Sequence, residues 1–152
     1  MDFEQEETMS LYTIGYEKRE IEEFLEILQK KKIRTVVDIR AVPYSRRHEY
    51  SKKDLAAALE KRGIEYILIS ELGTPRELRD QVKADQDYES FFAKYRKYLR
   101  GQAEPLNRLL EIARKKTSCL LCYERDVNHC HRRVTSEKIE KLSKSKIAVR
   151  HL

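Results

Sequence analysis

Across 152 residues the chain has four glycines, three prolines and three cysteines, and it has no long apolar run. Each scarcity closes off a class of protein. No window approaches the roughly 18 consecutive apolar residues that a membrane-spanning helix requires. Gly15 closes a short apolar segment, but no glycine-rich phosphate loop follows it. No repeat, low-complexity tract or Pro/Gly-rich linker interrupts the chain, so a single domain is expected over residues 10–152. Residues 1–9 precede it as an acidic leader, expected to be disordered, and Asp2, Glu4, Glu6 and Glu7 are the opposite of a basic secretory start. An odd cysteine count without such a start predicts reduced thiols and a cytoplasmic location rather than a disulfide framework.

The composition is otherwise that of a charged globular protein. Hydrophobic residues make up 40% and charged residues 38%, and a compact domain of this size buries roughly 68–70% of its unfolded surface. The formal net charge is +6, and the leader contributes −4 of it, which leaves +10 on the remainder. A field of that sign favours anionic or phosphorylated partners, although a solubilising Lys/Glu surface produces similar totals.

Apolar spacing alternates between strand-like and helix-like along the whole chain. Short apolar or β-branched runs at 11–14, 33–39, 64–69, 118–123 and 147–152 predict five strands. Between them, Ile21, Phe24, Leu25 and Leu28 recur at helical spacing, as do Leu55, Ala58 and Leu59. Ser51 with Asp54 suggests a capping box, and Gly63 stands where a helix C-cap belongs. Thr74-Pro75-Arg76-Glu77 reads as another helix start, and Tyr88, Phe91, Phe92, Tyr95 and Leu99 form a stripe expected to lie in the core. A further helix is marked by Leu106, Leu109, Leu110 and Ala113, and the last by the segment from Cys130 to about Leu142. Strands separated by helices predict an α/β fold: a doubly wound, mainly parallel sheet of about five strands with helices on both faces.

Such folds bind ligands beyond the carboxyl ends of their strands, and the chemically costly residues of this chain fall there. After the first strand come Gly15 and Tyr16; the second ends in Asp38 and Arg40 and runs into Tyr44 and Arg46. Arginines on such a loop suit bidentate capture of phosphate or carboxylate, and tyrosines offer stacking faces. Asp38 and Arg40, two apart on a strand, share a face and suit a structural pair as well. At the fourth strand's end, Cys122 and Glu124 are followed by Cys130, His131 and Arg132. A cysteine at a helix start beside cations is expected to ionise early, which makes Cys130 a candidate nucleophile, with Cys122 the alternative. Glu124 would move a proton or orient His131. Cys119, mid-strand, is expected to be buried and inert. The C-x7-C-H arrangement lacks the paired spacing of structural zinc sites, so no metal or other cofactor is expected.

Thr13-Ile14-Gly15-Tyr16, Val37-Asp38-Ile39-Arg40, Pro43-Tyr44-Ser45-Arg46, Leu72-Gly73-Thr74-Pro75-Arg76 and Leu121-Cys122-Tyr123-Glu124 followed by Cys130-His131-Arg132 together resemble the family catalogued as domain of unknown function 488. The resemblance runs from about Ser10 to the C-terminus. It implies a small α/β domain and no settled activity. Many relatives carry His-Ser where this chain has Tyr16-Glu17, so no role is transferred to those positions.

The expectation that follows is a pocket at the strand ends that binds or acts on a phosphorylated or nucleotide-like small molecule. Gly15, Tyr16, Asp38, Arg40, Tyr44, Arg46 and Arg132 would bind it, and Cys130, Cys122, Glu124 and His131 would carry any chemistry. The alternative is a non-catalytic nucleic-acid-binding module, with weak binding through the basic loop and the C-terminal segment from Cys130, which carries seven Lys/Arg against two Glu. Neither reading involves a membrane, and oligomeric state is not legible from the pattern.

Overall fold

A computed structural model describes residues 9–152. The expected leader lies outside these residues except for Met9, which already belongs to the first strand. Five strands, β1 (Met9–Gly15), β2 (Thr35–Asp38), β3 (Glu65–Leu68), β4 (Ser118–Cys122) and β5 (Ile147–His151), form one all-parallel sheet in the order β3-β2-β4-β1-β5. The helices are α1 (Ile21–Lys30), α2 (Lys52–Glu60), α3 (Arg76–Asp85), α4 (Tyr88–Leu99), α5 (Ala103–Lys115) and α6 (Arg132–Leu142). No helix among the described residues is long and apolar enough to cross a membrane.

The two faces of the sheet read directly from the period-two alternation of the central strands. Ile14, Val36, Cys119 and Leu121 face α1 and α2, where they pack on Phe24, Leu28, Leu55 and Leu59. Leu11, Val37 and Leu120 face the other way, onto the Phe91/Phe92/Tyr95 stripe of α4, Leu109 of α5 and Ile139 of α6. Both faces are covered, so the central strands carry near-continuous apolar runs, as a parallel sheet demands, and the buried polar residues among them, such as Thr13 in β1 and Asp38 in β2, stand out.

Two helix starts differ from the sequence expectation: α3 begins at Arg76 with Pro75 as its N-cap residue and no side-chain cap, and the start of α2 differs as well. Ser51 does not cap α2 with its side chain; its hydroxyl instead receives the Ser45 amide and donates to the Ser45 carbonyl, tying the loop before the helix. The cap that does form is Asp87, which accepts from the Ser90 amide at the head of α4. Gly63 takes φ +73° after α2, the left-handed setting that favours glycine.

Strand order decides where the ends meet. From β1 the chain crosses to β2 and then β3 on one edge; from β4 it crosses to β5 on the other. The neighbours β1 and β4 therefore send their connections in opposite directions, which makes their carboxyl ends the topological switch point.

Candidate functional site

In most folds of this type a crevice opens at the switch point. Here the chain's own loops occupy it. Pairing continues past the strands, with Tyr16 N donating to Cys122 O at 3.2 Å and Glu17 N to Tyr123 O at 2.9 Å. The Glu17 carboxylate accepts from the Arg125 amide at 3.1 Å. A Cβ on Gly15 would stand 1.8 Å from the Glu124 carbonyl oxygen, so glycine is required there for backbone approach. A shallow depression of about 170 Å3 lies elsewhere, between α3 and α4, lined by residues such as Leu78, Val82, Phe91 and Lys94.

The costly side chains form two clusters on opposite faces of the sheet at this same rim. On the α1/α2 face, Asp38 is fully buried. Its Oδ1 accepts from Arg40 Nε at 2.9 Å and from the Arg40 amide at 3.1 Å, and its Oδ2 accepts from Arg40 Nη2 at 2.7 Å and from the Tyr66 hydroxyl. Burial works against the Arg40 charge, but the fork-to-fork contact with Asp38 outweighs it and holds the guanidinium above its ordinary pKa. Arg40 also lies over the Tyr16 ring, 5.4 Å from its centroid, and Tyr16 stacks on Tyr50 at 4.3 Å. One donor is left over: Arg40 is only 6% exposed, yet its Nη1 is buried with no hydrogen-bond partner. Such an orphan is uncommon enough to need a reason.

On the α6 face the organiser is Arg132, which is fully buried. Its Nε donates to Thr13 Oγ1 at 3.1 Å, its Nη1 to Cys122 Sγ at 3.2 Å and to the Glu124 carbonyl, and its Nη2 to the Arg125 carbonyl at 3.0 Å. Burial pulls the guanidinium down to about 10, still charged at neutral pH. Every arm of Arg132 is engaged within the chain, so it shapes the loop after β4 rather than presenting a donor to a ligand, as the sequence had suggested.

The cysteines also depart from expectation. Helix α6 begins at Arg132, so Cys130 precedes it instead of opening it. Cys130 is 1% exposed and its sulfur is in bonding contact with that of Cys122, a disulfide where reduced thiols were expected. The pairing is tertiary: the seven intervening residues turn back through a single 3-10 turn at Val127–His129, which no cysteine spacing rule encodes. The two Cα atoms stand 7.5 Å apart, wider than the roughly 4.4–6.8 Å that disulfides usually span. Cys119 is buried, and burial pushes its thiol well above the ordinary range.

His131 is buried, and that burial lowers it to about 4. The ring is therefore neutral at physiological pH. Its Nε2 lies 2.8 Å from the Ile39 carbonyl, which can only accept, so Nε2 carries the proton and Nδ1 is the lone-pair nitrogen, 3.8 Å from Cys130 Sγ. Glu124 is half-buried, and burial raises its carboxyl above the usual range. Its carboxylate, Cys122 and Cys130 have donor atoms within 4.8 Å of one another.

The remaining candidates separate from these clusters. Tyr44 is 72% exposed. Arg46 is also exposed and makes no ion pair with a described residue. Three members were missed from sequence. Tyr66 and Thr13 look like ordinary strand residues, although Thr13, a hydroxyl on the same strand face as Leu11, was a signal. It accepts from Arg132 and pairs with His151 Nδ1 at 2.7 Å. The third is Arg19, whose Nε donates to the Gly15 carbonyl at 3.0 Å.

Fold and site together define a doubly wound parallel α/β protein whose polar residues crowd the carboxyl rim of the sheet. Residues 20–139 match the family model described as domain of unknown function DUF488, and the chain belongs to that family. No curated protein and no solved structure matches it.

Proposed function

We propose that this protein binds a phosphorylated or nucleotide-like small anion at the carboxyl rim of the sheet, in the cytoplasm, with Arg40 as the anchor. The observation that carries this reading is the Arg40 guanidinium: charged, nine-tenths buried, fixed by Asp38 on two nitrogens, and left with a buried Nη1 that no protein group satisfies. A donor fixed in this way has already lost its rotamer freedom before a ligand arrives, so once the rim loops part to admit it, an anionic oxygen gains a charge-assisted bond with little further ordering of Arg40. Tyr16, packed between Arg40 and Tyr50, helps hold the guanidinium in place, and the exposed Arg46 on the following loop is the second cation of this reading. Burial keeps Glu124 protonated to higher pH than an ordinary carboxyl, which suits it to donate a proton at the rim if the bound anion reacts.

The small-anion reading is preferred to a nucleic-acid module because the basic loop turns inward. Arg40 binds Asp38, and Arg47 binds the Arg19 carbonyl and Glu49 while lying over Tyr50, which leaves Arg46, Lys52 and Lys53 as its exposed Lys/Arg side chains. Thermal shift with inorganic phosphate and with a nucleoside monophosphate tests the proposal. At a hundredfold excess over Kd, a ligand adds about 2.7 kcal/mol of stability. Arg46→Ala is expected to lose part of that response with its unliganded Tm unchanged, since an exposed, unpaired side chain contributes little to packing. An unresponsive parent, or equal responses in parent and variant, would overturn the assignment. Retention of duplex DNA with a steep salt dependence would favour the polymer reading instead.

A further inference from the structure

The cluster on the α6 face points to a second kind of ligand, and the argument for it does not depend on the anion reading. Three potential metal donors converge there from two stretches of chain: Cys122 at the end of β4, Glu124 two residues on, and Cys130 just before α6. Both cysteines are 1% exposed. Burial of that degree is unfavourable for thiol–disulfide exchange, which needs access to a sulfur, but it suits a coordinated ion. The backbone agrees, because a Cα separation of 7.5 Å is wide for a disulfide yet unremarkable for two cysteines that share an ion.

The surroundings have the features of a thiolate outer shell. Arg132 Nη1 donates to Cys122 Sγ at 3.2 Å and the Arg132 amide to Cys130 Sγ at 3.5 Å, so each sulfur already receives an N–H. Hydrogen bonds of this kind orient ligands and temper their charge. Charge also balances: two thiolates and a carboxylate bring three negatives, a divalent ion brings two positives, and the buried Arg132 guanidinium supplies the third. Without an ion, the reduced and ionised cluster would leave two negatives unmatched in a buried site, which is costly. Thr13, the Glu124 carbonyl and the Arg125 carbonyl hold Arg132 in place, so the countercharge is fixed before any ion enters.

We propose that in the reduced protein Cys122, Cys130 and Glu124 hold a thiophilic divalent cation of the zinc class, with Arg132 as the outer-shell countercharge. Two sulfurs and one carboxylate oxygen leave one tetrahedral position open, the pattern of a reactive rather than a purely structural centre. The sulfurs cannot be bonded to one another and also share an ion, so oxidation of the pair and metal binding exclude each other.

The full chain, reduced and kept anaerobic, is titrated with Co(II) as a spectroscopic substitute and then with Zn(II). The expected result is one equivalent of Co(II), with thiolate-to-metal charge-transfer absorption and the intense visible bands of a tetrahedral site, displaced by Zn(II). Cys130→Ser should abolish the charge-transfer band or weaken Co(II) binding at least 100-fold, and Glu124→Gln should weaken it at least 10-fold. Because a cysteine variant can misfold, the parent provides a second readout. One equivalent of Zn(II) should raise the Tm of the reduced parent, and a chelator should reverse the rise. A reduced, folded chain that takes up neither ion overturns the proposal, as does uptake that Cys130→Ser leaves intact.

Discussion

The two faces of the sheet solve the same problem at the same rim in different ways. On the α1/α2 face a buried arginine meets a buried carboxylate, and charge is cancelled within one pair, Asp38 with Arg40. On the α6 face a buried arginine meets two carbonyls, a hydroxyl and a sulfur, and its charge has no carboxylate in direct contact. The first arrangement leaves a donor over; the second leaves a charge over. Each remainder is what makes its face a candidate site, one for an anion and the other for a cation held by anionic ligands. A buried ionic group is weak evidence for stability by itself, but a buried remainder is a specific statement about what is missing.

The contrast is broken most severely at Arg132. Arg132→Met should destabilise the protein by about 3–5 kcal/mol, because two carbonyls and the Thr13 hydroxyl lose their donor together. Tm should fall by roughly 10 °C for a chain of this size. Arg132→Lys should recover little, since one ammonium cannot reach partners spread across a guanidinium fork. A loss below about 1 kcal/mol in chemical denaturation would show that Arg132 does not organise the loop after β4.

Asp38→Asn should cost about 3 kcal/mol by stranding a buried guanidinium. The double variant Asp38→Asn with Arg40→Met should be more stable than Asp38→Asn alone, because the stranded charge is then gone. That rescue has no counterpart on the α6 face, where removing Arg132 leaves carbonyls that no single substitution satisfies. A double-mutant cycle on urea midpoints measures the difference, and simple additivity would mean the pair is not coupled.

Gly15→Ala joins both faces. Its Cβ would meet backbone, the Glu124 carbonyl oxygen at 1.8 Å and the Arg125 nitrogen at 2.9 Å, so β1 and the loop after β4 must part. A loss of about 2 kcal/mol is expected, of the size of core overpacking. By comparison, Gly63→Ala meets no atom within 4 Å and should cost only about 1 kcal/mol, from its positive φ.

The smallest effect is at alkaline pH. Tyr50, stacked on Tyr16 and donating to the Arg19 carbonyl at 2.8 Å, is pushed up to about 12, chiefly by burial. An acid whose folded pKa is raised contributes stability that is complete below its unfolded value near 10 and lost as pH climbs toward 12. Tyr50→Phe should therefore flatten the decline in stability between about pH 10 and pH 12. Tyr95→Phe makes the matching test on the other face, where burial raises the hydroxyl further while it donates to the Leu72 carbonyl. Urea melts at several pH values compare the two, and unchanged slopes in both variants would contradict the burial account.

The sequence determined the elements. Period-two and helical apolar spacing are local properties, so the five strands and six α-helices among the described residues form over the segments the pattern marks, with α3 and α6 starting later than expected, and alternation of strand with helix forces the chain into a parallel sheet. It also determined that costly residues follow the strands, because that placement is a matter of order along the chain. What it could not determine is which partner each polar residue meets on its face. Cys122 and Cys130 are eight positions apart, and only the turn after β4 brings their sulfurs together. Arg132 reads as a ligand-binding cation until Thr13, 119 residues earlier, accepts its Nε. Arg40 and Asp38 read as a pair that shares a face, but only the structure shows that this pair leaves a single buried nitrogen of Arg40 to spare. Hydrophobic patterning acts over a few residues and survives in one dimension, whereas a polar group's role depends on partners that only the closed tertiary structure supplies.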